Sequence, residues 1–366
     1  MKPKILIIGA GPVGLAAALE LARFGFEPTI IDKRNQLTGV SRAVIVHSDV
    51  IRKMEPSGAG AGIFKDAINI PNVDVYRDGK HAARFNISAL KDDNYRVLGI
   101  AQDTFETHQI EALEKYGIHV RRGEKCEAIS QDDEQVVVQI NQNSETYDYV
   151  IAADGVNSFV RKSIGIEFPG RDMPDMWSVA DVNLANVTDP DHAKIYILPD
   201  GHVATAVPMG INRYRITTNK GDAIKFLPPE IEVAKVNSQG AFKIAVRQAL
   251  HYRLGRVFLA GDAAHCHSPV DGRGLNLGVG DAVELAKRFN NNTLDGYHDE
   301  RHTEGEYVIR MTELVRAATT CKRYRMRLVT LTTLRATHYL GFVNRFASKL
   351  ATHNSFRDNA IVKRLI

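Results

Sequence analysis

Cysteine is scarce in this chain of 366 residues: Cys126, Cys266 and Cys321 stand singly, with neither a CxxC pair nor the even set of a disulfide framework. A disulfide-stapled secreted scaffold is thereby excluded, and a reducing, cytoplasmic setting is the expectation. No uninterrupted apolar stretch reaches the ~18 residues of a membrane-spanning helix. The run Lys4-Ile5-Leu6-Ile7-Ile8 is too short for the core of a secretory leader, so none is expected. Internal repeats and low-complexity linkers are missing. Cys266 and His267 are adjacent and have no further ligands at suitable spacing, so no metal is expected. An excess of one charge is missing too, since 47 Lys+Arg stand against 43 Asp+Glu for a net +4. With 44% hydrophobic and 25% charged residues the composition is that of an ordinary globular protein, and the length suggests two or three domains.

The small net charge is unevenly placed. From Tyr307 to Ile366 there are twelve basic and two acidic residues, a local +10 that leaves −6 for the rest. Two readings stand: a solvated helical tail, or a basic surface that meets an anionic membrane peripherally through residues such as Arg316, Lys322, Arg323, Arg325, Arg327 and Arg335. Tyr324 and Tyr339 are too few aromatics for base stacking, so nucleic acid is not an expected partner.

What is present begins at the N-terminus. Lys4 to Ile8 reads as a buried parallel strand and leads into Gly9-Ala10-Gly11-Pro12-Val13-Gly14, after which Leu15 to Phe24 reads as a helix. This is G-x-G-x-x-G between strand and helix, where the glycines allow a tight turn and a pyrophosphate sits on the helix N-terminus. A second strand, Pro28 to Ile31, ends at Asp32, followed by Lys33. A carboxylate there suits the hydroxyls of an unphosphorylated adenosine ribose, which means FAD or NAD and not NADP. The motif by itself leaves those two open.

Two later segments carry more. Tyr149 to Ala153 reads as a buried strand, followed by Asp154-Gly155-Val156-Asn157-Ser158 and a helix containing Arg161; a plain hairpin fits poorly because helical spacing follows. Arg256 to Ala260 is another strand, ending at Gly261-Asp262. After His265 come Ser268-Pro269-Val270-Asp271-Gly272-Arg273-Gly274-Leu275-Asn276, a Gly/Pro loop that opens a helix. Asp262 is placed to hold a ribityl hydroxyl. The helix start near Asn276 is placed to stabilise negative charge on a pyrimidine carbonyl.

These three segments, in this order, resemble the class A flavoprotein monooxygenases, the para-hydroxybenzoate hydroxylase-like aromatic hydroxylases. Ser41-Arg42-Ala43 resembles that family's loop after the second strand, and Gln102 its flavin-contacting glutamine. The likeness runs to about Lys287. It implies a Rossmann-like α/β FAD-binding domain with an inserted, mostly antiparallel β-sheet substrate domain and C-terminal helices. It also implies FAD held by Gly9, Gly11, Pro12, Gly14, Asp32, Lys33, Arg42, Gln102, Asp154, Gly155, Gly261, Asp262, Pro269, Gly272, Gly274, Leu275 and Asn276. NAD(P)H is implied as co-substrate, near Arg42, Asp154 and Arg161. The implied reaction hydroxylates a phenolic or other aromatic small molecule with O2 through a flavin C4a-hydroperoxide. Asp271 and Arg273 depart from the family's usual Gly and Gln, and beyond Tyr307 the chain looks like a member without the thioredoxin-like domain of some relatives.

The flavin domain is expected to be discontinuous, over residues 1–72, 100–168 and 256–300, with the substrate sheet at 73–99 and 169–255 and a basic helical region at 301–366. A base near the aromatic ring would help catalysis, and His47 and His267 are the candidates. His265 is expected to be packed, His202 exposed, and Arg213 and Arg215 either to anchor a substrate carboxylate or to form a solvated face. Three rival readings remain at this level: a membrane-associated quinone-precursor hydroxylase, a flavin-dependent reductase of an enoyl or prenyl substrate, and a non-catalytic flavin-binding sensor.

Overall fold

The structure, a computed structural model, describes residues 2–37, 44–88, 96–198, 202–225, 227, 231–268 and 272–320. Among them the chain begins β1 (Ile5–Ile8), α1 (Pro12–Arg23), β2 (Thr29–Asp32), β3 (Ile45–His47), α2 (Ser48–Lys53), α3 (Gly60–Asp66) and β4 (Ile68–Asn69). There follow β5 (Asn72–Arg77), β6 (Lys80–Asn86), β7 (Val97–Gly99), α4 (Gln102–Glu114), β8 (Val120–Arg122), β9 (Cys126–Gln131), β10 (Val136–Ile140), β11 (Asn143–Tyr147), β12 (Tyr149–Ala152) and α5 (Phe159–Ser163). The remainder is β13 (Gly170–Leu184), β14 (Ala193–Ile197), β15 (Val203–Gly210), β16 (Arg213–Thr218), β17 (Val233–Gln248), β18 (Arg253–Leu254), β19 (Val257–Leu259), β20 (His265–Cys266), α6 (Arg273–Asn291) and α7 (Tyr297–Thr320).

β1 reads Ile-Leu-Ile-Ile and is buried on both faces, as a strand inside a parallel sheet must be. It lies at the centre of a six-stranded sheet of order β18-β19-β12-β1-β2-β8, parallel to both β12 and β2. Chain direction in the sheet reverses its order at β1, so the crevice beyond the carboxyl ends of β1, β2 and β12 is the topological switch point where nucleotides bind in such sheets. Pro12, with its fixed φ and no N–H to lose, opens α1, whose small residues Ala16, Ala17 and Ala18 let it lie close on the sheet. α6 packs beside α1 on the same core, which includes Val279, Ala282, Val283 and Ala286.

The second large sheet has the order β20-β17-β13-β16-β15-β14-β5-β6 and is antiparallel except for the β14–β5 pair. A hairpin at Asp78-Gly79 joins β5 to β6, with both residues at positive φ. One face of this sheet holds a core of Val182, Tyr196, Tyr214 and Ile216. The other contributes Val207 and Met209 to an apolar seam with Val44, Val97 and Ala101. The sheet is thus sandwiched on both sides.

Three expected boundaries shift. β7 pairs with β3 and β4 in a small separate sheet, not with the substrate sheet. β20, from inside the third flavin segment, joins the edge of the substrate sheet through β17. α7 begins at Tyr297 and runs through the boundary placed at residue 300. Among the described residues no helix is long and apolar enough to cross a membrane.

Candidate cofactor site and active site

The first glycine turn is built by close approach. Gly9 has φ +106, and a Cβ there would lie 2.4 Å from the Ala153 carbonyl oxygen, so the β1 and β12 turns touch through backbone alone. A Cβ on Gly14 would fall 1.8 Å from Gly9 O, which fixes the helix against the turn. Gly11 differs, because a Cβ there meets no atom of the described residues within 4 Å. The space over Gly11 and the amino end of α1 is where a pyrophosphate fits.

Asp32 closes this end. It is 4% exposed and accepts hydrogen bonds from the Ala10 N–H (2.8 Å) and from the backbone and guanidinium of Arg34. Burial pushes its carboxyl up, but the bonds from Arg34 and Ala10 outweigh that and hold it below its ordinary value. Lys33 is exposed; it is Arg34, not singled out from the sequence, that shares this carboxylate.

At the second turn, Asp154 Oδ2 accepts the N–H groups of Phe159 (2.7 Å) and Val160 (3.1 Å), and Ser158 Oγ that of Arg161, so the turn caps α5. The other oxygen, Asp154 Oδ1, is buried and has no partner among the described residues. Arg161 is not available to a nicotinamide nucleotide. It is 3% exposed, lies 3.7 Å over the Phe168 ring, and donates to Ala263 O (2.8 Å) and Val156 O (3.0 Å). It ties the second turn to the third.

In the third turn Asp262 is exposed between buried Gly261 and Ala263. Val13 of α1 nests against Gly261, where a Cβ would lie 2.9 Å from Val13 Cγ2. α6 starts after Gly272, whose missing side chain leaves room for Ile45. Asn276 accepts the His47 N–H (2.8 Å) and donates to Ile45 O (3.1 Å) and Gly272 O (2.9 Å), fastening β3 to the start of α6. Leu275 is buried in that first turn. Ile45 also packs on the apolar seam, so the helix start and the seam meet there. Gln102 opens α4 and donates to Glu106 (2.7 Å), a 1%-exposed acid whose carboxyl burial pushes up. Arg42 and Pro269, like Asp271 and the basic residues after 320, lie outside the described residues.

His47 is 1% exposed at the amino end of α2. His267 presents Nδ1 to Ser268 O at 2.8 Å, so that nitrogen carries the proton and Nε2 keeps its lone pair. Among the described residues Nε2 is buried without a partner, and a Cβ on Gly274 would lie 3.8 Å from it. Desolvation pushes the ring down to about 4, so it is neutral at pH 7. His265 is packed, as expected, with Nε2 2.6 Å from Asp281. His202 is half-buried, not exposed.

Arg213 and Arg215 do not form a solvated face. Arg215 is 2% exposed, and Arg213 grips Asp181 through Nε at 3.0 and 3.1 Å and reaches Asp103 at 3.3 Å. Their side of β16 is turned toward the flavin domain. Two features passed over in the sequence concern metals. Asp74, Asp189 and His192 bring ligand atoms within 4.8 Å of one another, but Asp74 already takes Arg84 (2.6 and 3.1 Å), so the group is an ion-pair network. His298 and His302, one turn apart on α7, stack beside His251, and His298 Nδ1 accepts the Tyr252 N–H, which commits it to the fold.

A parallel sheet whose switch point carries three glycine-acid turns, roofed by a second sheet across an apolar seam, defines a dinucleotide-binding flavoprotein fold. The residues fit FAD: open space over Gly11, a shielded acid at Asp32, a free acceptor on Asp154 and an exposed carboxylate at Asp262. The chain belongs to the FAD-binding domain family, whose model matches residues 2–312. It is similar to an uncharacterized aromatic compound monooxygenase, YhjG, of Bacillus subtilis (strain 168), at 30% identity over 344 residues, covering 86% of this chain and 68% of that protein. Among solved structures, OxyS anhydrotetracycline hydroxylase from Streptomyces rimosus superposes with a TM-score of 0.77 at 25% identity, covering 96% of this chain and 76% of that one. The p-nitrophenol 4-monooxygenase PnpA from Pseudomonas putida DLL-E4 superposes at 0.85, covering 96% of this chain and 100% of that one; at 22% identity this likeness shows the fold.

Proposed function

We propose that this protein is an FAD-dependent monooxygenase that hydroxylates a phenolic or other aromatic small molecule with NAD(P)H and O2. The observation that carries the reading is the meeting of the Gly272–Asn276 helix start with the apolar seam through Ile45, which gives a flat, uncharged ring a place beside a flavin-holding turn. The names of the similar proteins, an aromatic compound monooxygenase for YhjG and an anhydrotetracycline hydroxylase for OxyS, support it. When bound, FAD supplies the redox chemistry, carrying electrons from NAD(P)H to O2.

The protein binds, orients and shields. Gly11, Pro12 and the start of α1 receive the pyrophosphate, Asp32 the adenosine ribose and Asp262 the ribityl chain. Gln102 and the Gly272–Asn276 turn hold the pyrimidine edge, and Asp154 faces the nicotinamide nucleotide. The apolar seam of Val44, Val97, Ala101, Val207 and Met209 excludes water from the ring. His267 accepts the phenol's hydrogen bond at Nε2; with a pKa near 4 it polarises that O–H and does not retain the proton.

The test is anaerobic mixing of the holoenzyme with NADH and then NADPH, watching the flavin band near roughly 450 nm with and without phenols, aromatic acids and quinols. Bleaching that one aromatic class accelerates, followed by stoichiometric hydroxylated product on admitting O2, is expected. A flavin that neither nucleotide reduces with any aromatic present overturns the proposal.

A further inference from the structure

We propose that Asp281 of α6 is a positioning residue for the ribityl turn and that Arg301 of α7 balances its charge, so that this buried pair sets both the retention of the flavin and the ease with which it is reduced. The inference rests on FAD binding at the Gly261–Asp262 turn and is independent of which aromatic compound is hydroxylated.

Asp281 is fully buried, and no step of the proposed reaction uses it. Its Oδ2 accepts the Gly261 N–H (3.0 Å) and the His265 Nε2–H (2.6 Å), and its Oδ1 accepts the Arg301 Nε–H (2.7 Å). Burial works against the charged carboxylate, but His265, Arg301 and the Gly261 N–H together hold it ionised. The backbone amide next to Asp262 therefore hangs from a side chain on α6, and that side chain is held from behind by α7. Gly280 makes this possible: a Cβ there would lie 3.2 Å from Arg301 Nη2, which also donates to Leu277 O (3.3 Å). α7 is stitched to the same region twice more, by Tyr297 OH to Leu259 O (2.8 Å) and by Gln248 Nε2 to His302 O (2.7 Å).

Charge makes the pair more than a brace. A buried ion pair with one member removed leaves a charge that neither water nor salt screens well. Reduction adds negative charge to the flavin. An uncompensated Asp281 opposes that gain, and an uncompensated Arg301 favours it. A purely mechanical brace would move both variants in the same direction.

The experiment compares Asp281→Asn, Arg301→Gln and the double variant as holoenzymes at one fixed pH. Reduction is titrated against a redox dye of known potential, and FAD release is followed by recovery of flavin fluorescence on dilution. Asp281→Asn is expected to shift the flavin–dye equilibrium about tenfold toward reduced flavin, roughly 30 mV for a two-electron couple, and Arg301→Gln by a similar factor the other way. Both should release FAD at least tenfold faster than the parent. The double variant, which removes one charge of each sign, should return to the parent potential within about twofold in that equilibrium while still releasing FAD faster. Equal-sign shifts, unshifted potentials or parental release rates in the single variants overturn the inference. Should a single variant not fold, the double variant decides: a potential displaced from the parent overturns it. None of these readouts involves NAD(P)H or an aromatic, so failure of the hydroxylase proposal is seen separately.

Discussion

Replacing Gly11 by alanine separates the fold from the cofactor. Gly11 has φ −81 and ψ −176, an extended conformation open to any residue and the one favoured before a proline. A Cβ there meets no atom of the described residues within 4 Å. In the absence of FAD the substitution should therefore be neutral or raise stability by about 0.4–1 kcal/mol, through the unfolded chain. With FAD the same methyl group intrudes on the space over the α1 amino end. Overpacking of that kind costs about 1–3 kcal/mol, or roughly 5- to 150-fold in the dissociation constant. At an FAD concentration about 100 times the parental dissociation constant, binding stabilises the parent by about 2.7 kcal/mol; a hundredfold weaker variant retains only about 0.4 kcal/mol. Denaturant unfolding with and without FAD, together with a fluorescence titration of the apoprotein, reads both quantities. Parental FAD affinity in Gly11→Ala, or an apoprotein that is clearly destabilised, would refute the placement of the pyrophosphate.

Gly14→Ala should show the opposite pattern, destabilising the apoprotein itself, because its Cβ would collide with Gly9 O at 1.8 Å; unfolding midpoints without FAD test this. Desolvation lowers the pKa of His267, from 6.5 to about 4, and those of His298 and His302, so the folded state binds fewer protons than the unfolded chain in that range. Stability present above pH 6.5 should accordingly be lost as the pH falls from 6.5 toward about 4, and His267→Asn should flatten the dependence in urea midpoints taken between pH 7.5 and 5. Burial pushes the thiols of Cys126 and Cys266 up to about 12, so in a Cys321→Ser background a disulfide reagent at pH 8 should label neither in the native state and both after denaturation. Arg213→Ala strands Asp181, which is 3% exposed, and should cost about 3 kcal/mol in chemical unfolding; a loss below about 1 kcal/mol would show that Asn237 suffices.

The parts of the site that lie within one turn of chain were legible in the sequence. The run from β1 through Gly9, Gly11 and Gly14 to Asp32 carries its geometry locally, because strand, tight turn and helix start each demand particular residue types at fixed spacing. The Gly261–Asp262 turn and the Asn276 helix start are of the same kind. What escaped was long-range. Strand alternation in β16 identifies a polar face but not what covers it, so Arg213 and Arg215 read as solvated until the flavin domain is packed against them. Arg161 had the right chemistry for a phosphate, yet its guanidinium is directed at Ala263 O, 102 residues away. Asp281 and Arg301 gave no signal at all, since a lone acid and a lone base on two amphipathic helices look like surface residues. The three strands β9, β10 and β11 form their own antiparallel sheet inside a segment read as part of the flavin domain, because a short meander leaves no mark on the turns that flank it.

Arg161 has a further consequence for the cofactor. Its two carbonyl contacts set the separation of the Val156 and Ala263 loops with protein groups alone, much as a spacer fixes the jaws of a clamp. Those two loops are thus already ordered relative to each other, and a ligand that engaged both would not have to meet the conformational cost of ordering them.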